Sequence, residues 1–577
     1  ITLCNTITNA NQLPNIIIFL VDDMGWADVG YRSDHMLTPN IDTLSADGIT
    51  LNSYYTQPLC TPSRGALLSG VHPIHSGTQH LVFNELQPAG YPLDQKLLPE
   101  YLKQYDYATH AIGKWHLGFY KRDYTPTYRG FDTHFGTWGG FGNYYNHSMC
   151  SGIIYQTFNT CGLDYRQNMK LLTDQPDNQY STQVYTSKTL DLIDQHNTSR
   201  PLFLYVAYQS LHSSYADNIL QAPPDKYMNR FRHIESQNRR TYAAMAYSMD
   251  ESIGAIVEKL YDRSMLSNSI ILFTSDNGPQ AVNVPSVFSN FGSAEPLRGS
   301  KSTLFEAGIR VPTFIWSPLL NTTGYVSDQL IHVTDIMPTL LDAIGADLDP
   351  FTKNNISYGM SQWESLSLNG SLAPIRTELL HNIDPIWNQS SIRWFDWKLL
   401  YGPNDPNYPH RASFASSWWP TIPVEDSQHI HMDQPSRDEL KRADRLASRT
   451  YQVLSAMNRR PPTTTDYDVL EKTATIKCPP KPDGSLSSDP YRCQPDRQFC
   501  LFNIRHDPCE HRNIAHENLD LVDYMWHRLL DLNRTAVRPL ALIPVDRDSY
   551  PDRHGGAWTN WLDDDDDDDI HGNRDEL

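Results

Sequence analysis

The sequence predicts a large α/β domain, with a mixed and mostly parallel sheet between layers of helices. Three observations carry this. First, residues 15–21, 201–208 and 269–274 are runs of β-forming residues with no polar alternation. A strand apolar on both faces is covered on both faces, which is the habit of parallel sheets. Second, such runs alternate with helical segments, at 39–47, 98–105, 183–196, 242–260 and 334–346. That order builds a layered α/β architecture. Third, the runs end in polar residues: Asp22-Asp23, Gln209-Ser210-Leu211-His212 and Ser275-Asp276-Asn277. The carboxyl ends of strands are where ligands sit in open α/β sheets.

Taken in order, residues 15–21 lead to paired carboxylates, Asp22 and Asp23, which repel each other unless a cation lies between them. Thr38-Pro39 opens a helix closed by Gly48, and 49–56 returns as a strand. Cys60 follows, just before a second helix with Thr61 as N-cap, Pro62 at the first position and Ala66-Leu67-Leu68 inside. A side chain there meets unpaired N–H groups and the positive end of the helix dipole, which suit an anion or a nucleophile that attacks one. Arg64, one turn on, is placed to reach back. Lys114 and His116 alternate along an extended segment and are expected on one face. The Gly- and aromatic-rich stretch 130–145 reads as an irregular loop. Asp276 and Asn277 offer hard oxygen ligands at a strand end, as Asp22 and Asp23 do. After about residue 375, Trp, Pro and Asn become frequent. There 391–401 reads as one strand of an antiparallel sheet, 436–458 as a charged helix, 459–462 and the threonines beyond as a linker, and 500–504 as a late strand.

The 577 residues suffice for more than one domain. The expected division is a catalytic domain over 1–375, a smaller one over 376–562, and an acidic tail over 563–577. The net charge of -20, from 67 acidic and 47 basic residues, excludes the basic face that nucleic-acid binding needs. Part of that excess is the unbroken run Asp563 to Asp569, read as a solvated tail. No apolar run reaches the ~20 residues of a membrane span. The chain opens on Ile1 rather than Met, which reads as a mature chain with its signal peptide removed. Seven Asn-x-Ser/Thr sequons, at Asn146, Asn197, Asn321, Asn355, Asn369, Asn388 and Asn533, fit an N-glycosylated protein of the secretory pathway. Of the eight cysteines, Cys150 and Cys161 suit a local bridge, and Cys478, Cys493, Cys500 and Cys509 could form two more, with their pairing open. Cys4 is left over. The final Arg574-Asp575-Glu576-Leu577 resembles an ER-retrieval tetrapeptide, which makes a retrieval receptor an expected partner and leaves secreted and lysosomal end points open.

Cys60-Thr61-Pro62-Ser63-Arg64, followed by an apolar pair and Gly70, resembles the signature of the sulfatase family, in which Cys is converted to formylglycine. Ser69 stands where that family usually has Thr, Ala or Arg. Gly113-Lys114-Trp115-His116-Leu117-Gly118 resembles the second signature, with Asp106 in place of a usual Gly upstream. Residues 296–312 resemble the segment bearing a second active-site lysine, here Lys301, and His506-Asp507-Pro508 resembles the family's late turn. The likeness runs from about 14 to 514, closest in wording to the N-acetylgalactosamine-4-sulfatase (arylsulfatase B) type, and 459–490 reads as a local addition.

The resemblance implies an alkaline-phosphatase-like sheet followed by a smaller α+β domain with an antiparallel sheet. It implies hydrolysis of sulfate monoesters, aryl sulfates and sulfated sugars. Asp22, Asp23, Asp276 and Asn277 would bind one Ca²⁺ together with modified Cys60. The oxygen-only set independently favours Ca²⁺ or Mg²⁺ over zinc. In such enzymes one hydroxyl of the hydrated aldehyde attacks sulfur, and deprotonation of the other expels sulfate. Arg64 and Lys114 would hold the formylglycine oxygens and sulfate charge, and His116 would serve the diol. His212 and Lys301 would hold the sulfate and protonate the leaving alcohol. The implied partners are a sulfated small molecule or glycan and a formylglycine-generating enzyme. Two alternatives stand beside this reading. One is a phosphatase or phosphonate hydrolase of the same superfamily, which usually needs a richer Asp/His metal set. The other is an inactive glycan-binding relative, which has no need of every charged residue.

Overall fold

A computed structural model of the chain describes residues 12–151, 160–173, 179–214, 220–280, 290–349, 359–369, 374–402, 434–457, 459–479, 491, 493–495 and 498–563. The first strands are β1 (Asn15–Val21), β2 (Ile49–Leu51), β3 (Tyr54–Tyr55), β4 (Ala108–Lys114), β5 (Thr133–Thr137), β6 (Ser148–Ser151), β7 (Thr160–Leu163), β8 (Arg166–Gln167) and β9 (Lys170–Leu171). Next come β10 (Leu202–Ala207), β11 (Ser269–Ser275), β12 (Phe314–Trp316), β13 (Tyr325–Ser327) and β14 (Ile331–His332). The last are β15 (Glu378–Asp384), β16 (Gln389–Trp394), β17 (Trp397–Tyr401) and β18 (Cys500–Asn503).

The main sheet has ten strands in the order β13-β2-β12-β11-β1-β10-β4-β5-β8-β9. Its centre is parallel: β1 pairs with β10 and β11, and β10 with β4. Side chains of β1 alternate between two cores, with Ile17, Phe19 and Val21 on one face and Ile16, Ile18 and Leu20 on the other. Helices Ser181–Gln195 and Gln237–Asp262 cover the first face, and Cys60–Ser69, Leu98–Leu102 and Ile336–Ala343 the second. Full burial of such aliphatic and aromatic side chains contributes roughly 1.5–3 kcal/mol each, which makes a strand apolar on both faces stable only in this central place. A second, antiparallel sheet runs β15-β16-β17-β18 and packs against helix Leu519–Asn533. The predicted fold class is therefore the observed one.

Several local expectations are corrected. Residues 49–56 split into β2 and β3, which belong to different sheets. The stretch 130–145 holds β5, a parallel neighbour of β4, with residues 134–137 all buried between the sheet layers. The single strand expected at 391–401 is the hairpin β16–β17, turning at Phe395 in the left-handed region (φ 51°). The charged helix breaks at Ser448, whose hydroxyl caps helix Arg449–Ala456. The threonine run after 462 is not linker: Thr463 caps helix Thr464–Ala474 in a capping box with Asp466, and Tyr467 of that helix hydrogen-bonds Thr43 at 2.9 Å.

Cysteines pair as Cys150–Cys161, Cys478–Cys509 and Cys493–Cys500, and Cys60 is the free thiol among the described residues. Cys4, Asn355, the tail beyond Asp563 and the final tetrapeptide lie outside the described residues. Among the described residues no helix is long and apolar enough to cross a membrane.

Candidate active site

Strand register delivers most of the site. Val21 lies opposite Ser275, Leu20 opposite Ala207, and Ala207 opposite Gly113. Because these neighbours are parallel, the residues that follow emerge together: Asp22 and Asp23, Asp276 and Asn277, the 208–212 turn, and Lys114. Backbone bonds continue the pairing, with Asp276 N donating to Val21 O at 3.0 Å and Leu211 N to Asp22 O at 2.6 Å.

Cys60 comes from the other direction. It is the first residue of helix Cys60–Ser69, with Leu59 rather than Thr61 at the N-cap position. Thr61 spends its hydroxyl on His116 O at 3.0 Å. Cys60 Sγ lies 3.5 Å from Asp22 Oδ1 and 3.5 Å from Lys301 Nζ. Burial, with Asp22 and Asp276 nearby, pushes the Cys60 thiol far above its usual range.

Each carboxylate is answered by a cation. Lys114 Nζ stands 2.6 Å from Asp22 Oδ2. Arg64 donates to Asp276 Oδ2 from Nε at 3.1 Å and from Nη2 at 2.8 Å, and Nη2 is 3.7 Å from Asp22. Arg64 thus turns to Asp276, Asp22 and Lys114 O (3.2 Å) rather than capping its own helix. Lys301 Nζ is 2.5 Å from Asp23 Oδ1, and His212 Nε2 is 3.6 Å from Asp23 Oδ2. Burial works against ionised Asp22 and Asp23, but Lys114 and Lys301 outweigh it and hold both below the ordinary carboxylate range.

The two histidines differ. His116 follows β4 with φ 59°, so strand alternation does not set its direction as expected. Its Nε2 donates to Phe83 O at 3.2 Å, since a carbonyl only accepts. That leaves Nδ1 bare, buried and without a hydrogen-bond partner. Burial, Lys114 and Arg64 keep this imidazole neutral, well below its usual value. His212 donates from Nδ1 to Ser213 O at 2.7 Å, which turns Nε2 toward Asp23.

Asp22, Asp23, Asp276 and Cys60 bring one ligand atom each within 4.8 Å of one another. Asn277 donates its amide to Asp23 Oδ1 at 2.6 Å, while its Oδ1 is buried with no hydrogen-bond partner. A buried carbonyl oxygen left unpaired is costly, and beside three carboxylates it fits a hard cation with oxygen ligands. Three carboxylates and an amide oxygen favour Ca²⁺ or Mg²⁺ over zinc, which prefers nitrogen and sulfur donors.

Sequence reasoning missed the residues that hold the histidines. Phe141 stacks on His212 with ring centroids 5.1 Å apart, and Tyr144 donates to His212 O at 2.8 Å. A Cβ at Gly140 would sit 2.8 Å from His116 Nε2. The Gly/aromatic composition of 130–145 was the signal for all three.

The α/β sandwich and this anion-seeking cluster define a hydrolase of sulfuric esters once the relatives are considered. A family model described as Sulfatase matches residues 14–346. The chain is 36% identical over 572 residues to arylsulfatase J of Mus musculus, covering 96% of this chain and 81% of the relative. It is 34% identical over 349 residues to N-acetylgalactosamine-6-sulfatase of Homo sapiens, covering 59% of this chain and 63% of the relative. A solved structure, that of Ps i-CgsB in complex with k-i-k-neocarrahexaose, shares the fold at TM-score 0.65 and 24% identity, over 92% of this chain and 94% of that one. The chain belongs to the sulfatase family.

Proposed function

We propose that this sulfatase works through Cys60 converted to formylglycine and holds one Ca²⁺ on Asp22, Asp23, Asp276, Asn277 and the modified residue. The observation that carries the reading is the convergence of three carboxylates on Cys60, with the orphaned Asn277 oxygen on a side chain bonded to Asp23, ringed by Arg64, Lys114 and Lys301. When present, the hydrated aldehyde supplies a hydroxyl nucleophile and the cation a seat for a sulfate oxygen.

The chain's own residues do the rest. Lys114 and Arg64 fix the carboxylates and offset the negative charge of the incoming ester. His116, whose Nδ1 is buried without a hydrogen-bond partner, is the residue this reading assigns to the diol and its deprotonation. His212 and Lys301 hold the sulfate from the other side, and His212 Nε2 gives a proton to the departing alcohol. The substrates are aryl sulfates and a sulfated sugar, the 4-sulfatase type being one member of that class. The division 1–375, 376–562 and 563–577 belongs to the same reading.

A secretory, N-glycosylated protein fits the three disulfides and the exposure of all six sequon asparagines among the described residues. A formylglycine-generating enzyme and an ER-retrieval receptor are its proposed partners. The test of the reaction is turnover of an aryl sulfate against the matching aryl phosphate. Sulfate hydrolysis at least about 100-fold faster, worth roughly 2.7 kcal/mol of transition-state discrimination, is expected. Preference for phosphate would establish the phosphatase alternative, and no turnover of either, with sulfated glycans still bound, the inactive one.

A further inference from the structure

The segment that carries Lys301 is fastened from three sides. Lys301 N donates to Pro279 O at 2.8 Å, next to the Asn277 ligand loop, and Gly278 N donates to Gly308 O at 3.0 Å. Ser302 N donates to Pro58 O at 2.8 Å, next to the nucleophile. The third side is the C-terminal part of the chain. Glu510, in the turn after β18, accepts from Glu306 N on Oε2 at 2.8 Å, and its backbone carbonyl accepts from Arg298 Nη1 at 3.0 Å. One residue therefore holds both flanks of the Lys301 segment.

The fastening is ionic and fully buried. Lys398 of β17 sets Nζ 2.9 Å from Glu306 Oε1 and 2.8 Å from Glu510 Oε1, with all three side chains at 0% exposure. Tyr55 donates its hydroxyl to Glu306 Oε2 at 2.7 Å. The Cys478–Cys509 disulfide secures the backbone immediately before Glu510. Burying a lysine with two carboxyl groups carries a desolvation cost that pairing must offset, and well-packed apolar residues join two layers at least as stably. Adhesion alone does not account for such a cluster, whereas fixing the place of one loop does.

We propose that Glu510 is a positioning residue of the sulfatase reaction: with Lys398 it holds the 298–308 segment so that Lys301 Nζ stands between Asp23 and Cys60. The proposal rests on the reading of Lys301 as a sulfate-holding group. The experiment compares kcat, KM and thermal midpoint on an aryl sulfate for full-length E510A, E510Q, K301A and the doubles E510A/K301A and E510Q/K301A. E510A should lower kcat/KM by about 100-fold, the order that a displacement near 1 Å costs, and E510Q by less, because it keeps an acceptor for Glu306 N. Each double should lose no more than K301A alone, since Glu510 acts through that lysine. A merely structural residue would instead multiply its loss onto that of K301A, and that result overturns the proposal. So does wild-type activity in E510Q. If E510A fails to fold, the E510Q cycle decides. A fully active K301A would remove the reading of Lys301 and this proposal together, whereas an impaired K301A with multiplicative doubles would remove this proposal alone.

Discussion

At the scale of single residues, the two site histidines separate by what their outer nitrogens touch. His212 spends Nδ1 on Ser213 O and turns Nε2 to the site. If it is the acid, its removal harms poor leaving groups most. A phenol departs as a weak base and hardly needs a proton, whereas a sugar alcohol does. H212A should therefore reduce turnover of a sugar sulfate about 10²–10⁴-fold, and that of an activated aryl sulfate far less. Equal losses on the two substrates would show that His212 binds sulfate without acting as the acid. Most of these side chains were legible in the sequence because each stands directly after a buried strand or at a helix start. Asp22, Asp276, Lys114 and His212 needed only strand register to meet. The pose of His116 was not legible, since a left-handed residue breaks alternation and its ring is placed by Phe83 and Gly140, both distant in sequence.

At the scale of elements, the ligand loop and the Lys301 segment meet backbone to backbone at Gly278. A Cβ there would lie 1.8 Å from Ala307 O. G278A must therefore push the two segments apart, breaking the bond from Gly278 N to Gly308 O. We expect a stability loss of about 1–3 kcal/mol, as for overpacking in a close-packed interior, with activity falling further than stability alone explains. A denaturant midpoint and a kcat/KM for G278A check this, and unchanged values for both would contradict it. Elements apolar on both faces, β1, β10 and β11, were readable from composition. Short elements were not: β2 and β3 have three and two residues, and their assignment to different sheets depends on partners at Phe314 and Ile331. Helix Thr464–Ala474 hid behind its threonine cap, because Thr-rich sequence is read as loop until a helix packs on a partner, here the one at Pro39–Asp47.

At the scale of the whole molecule, buried histidines set the response to pH. Eight outside the site, His72, His75, His110, His134, His147, His196, His332 and His381, are held below their ordinary value by burial. His72 is lowered to about 3, and His134 and His147 to about 4. The unfolded chain takes up these protons near pH 6.5, while the folded chain resists until much lower pH, so stability falls as pH drops below that point. Five carboxylates, Asp47, Glu85, Asp164, Asp250 and Glu510, are pushed up by burial and act in the opposite sense. Asp250 reaches about 8 and Glu510 about 7. The groups that burial drives far are the histidines His72, His110, His134, His147, His332 and His381 against the carboxyls of Asp250 and Glu510, so the histidines prevail between pH 6.5 and 4.5. The thermal midpoint should decline from pH 7 to pH 5. A flat or rising midpoint across that range would contradict the balance. None of this was legible beforehand, since burial of a histidine is a property of the packed molecule.

The central claim is the chemical identity of residue 60, and mass spectrometry of the peptide that carries it tests the claim most directly. In an active preparation the account predicts a residue about 18 Da lighter than cysteine, with turnover rising in proportion to the converted fraction. An active preparation in which residue 60 is wholly unmodified cysteine would contradict it.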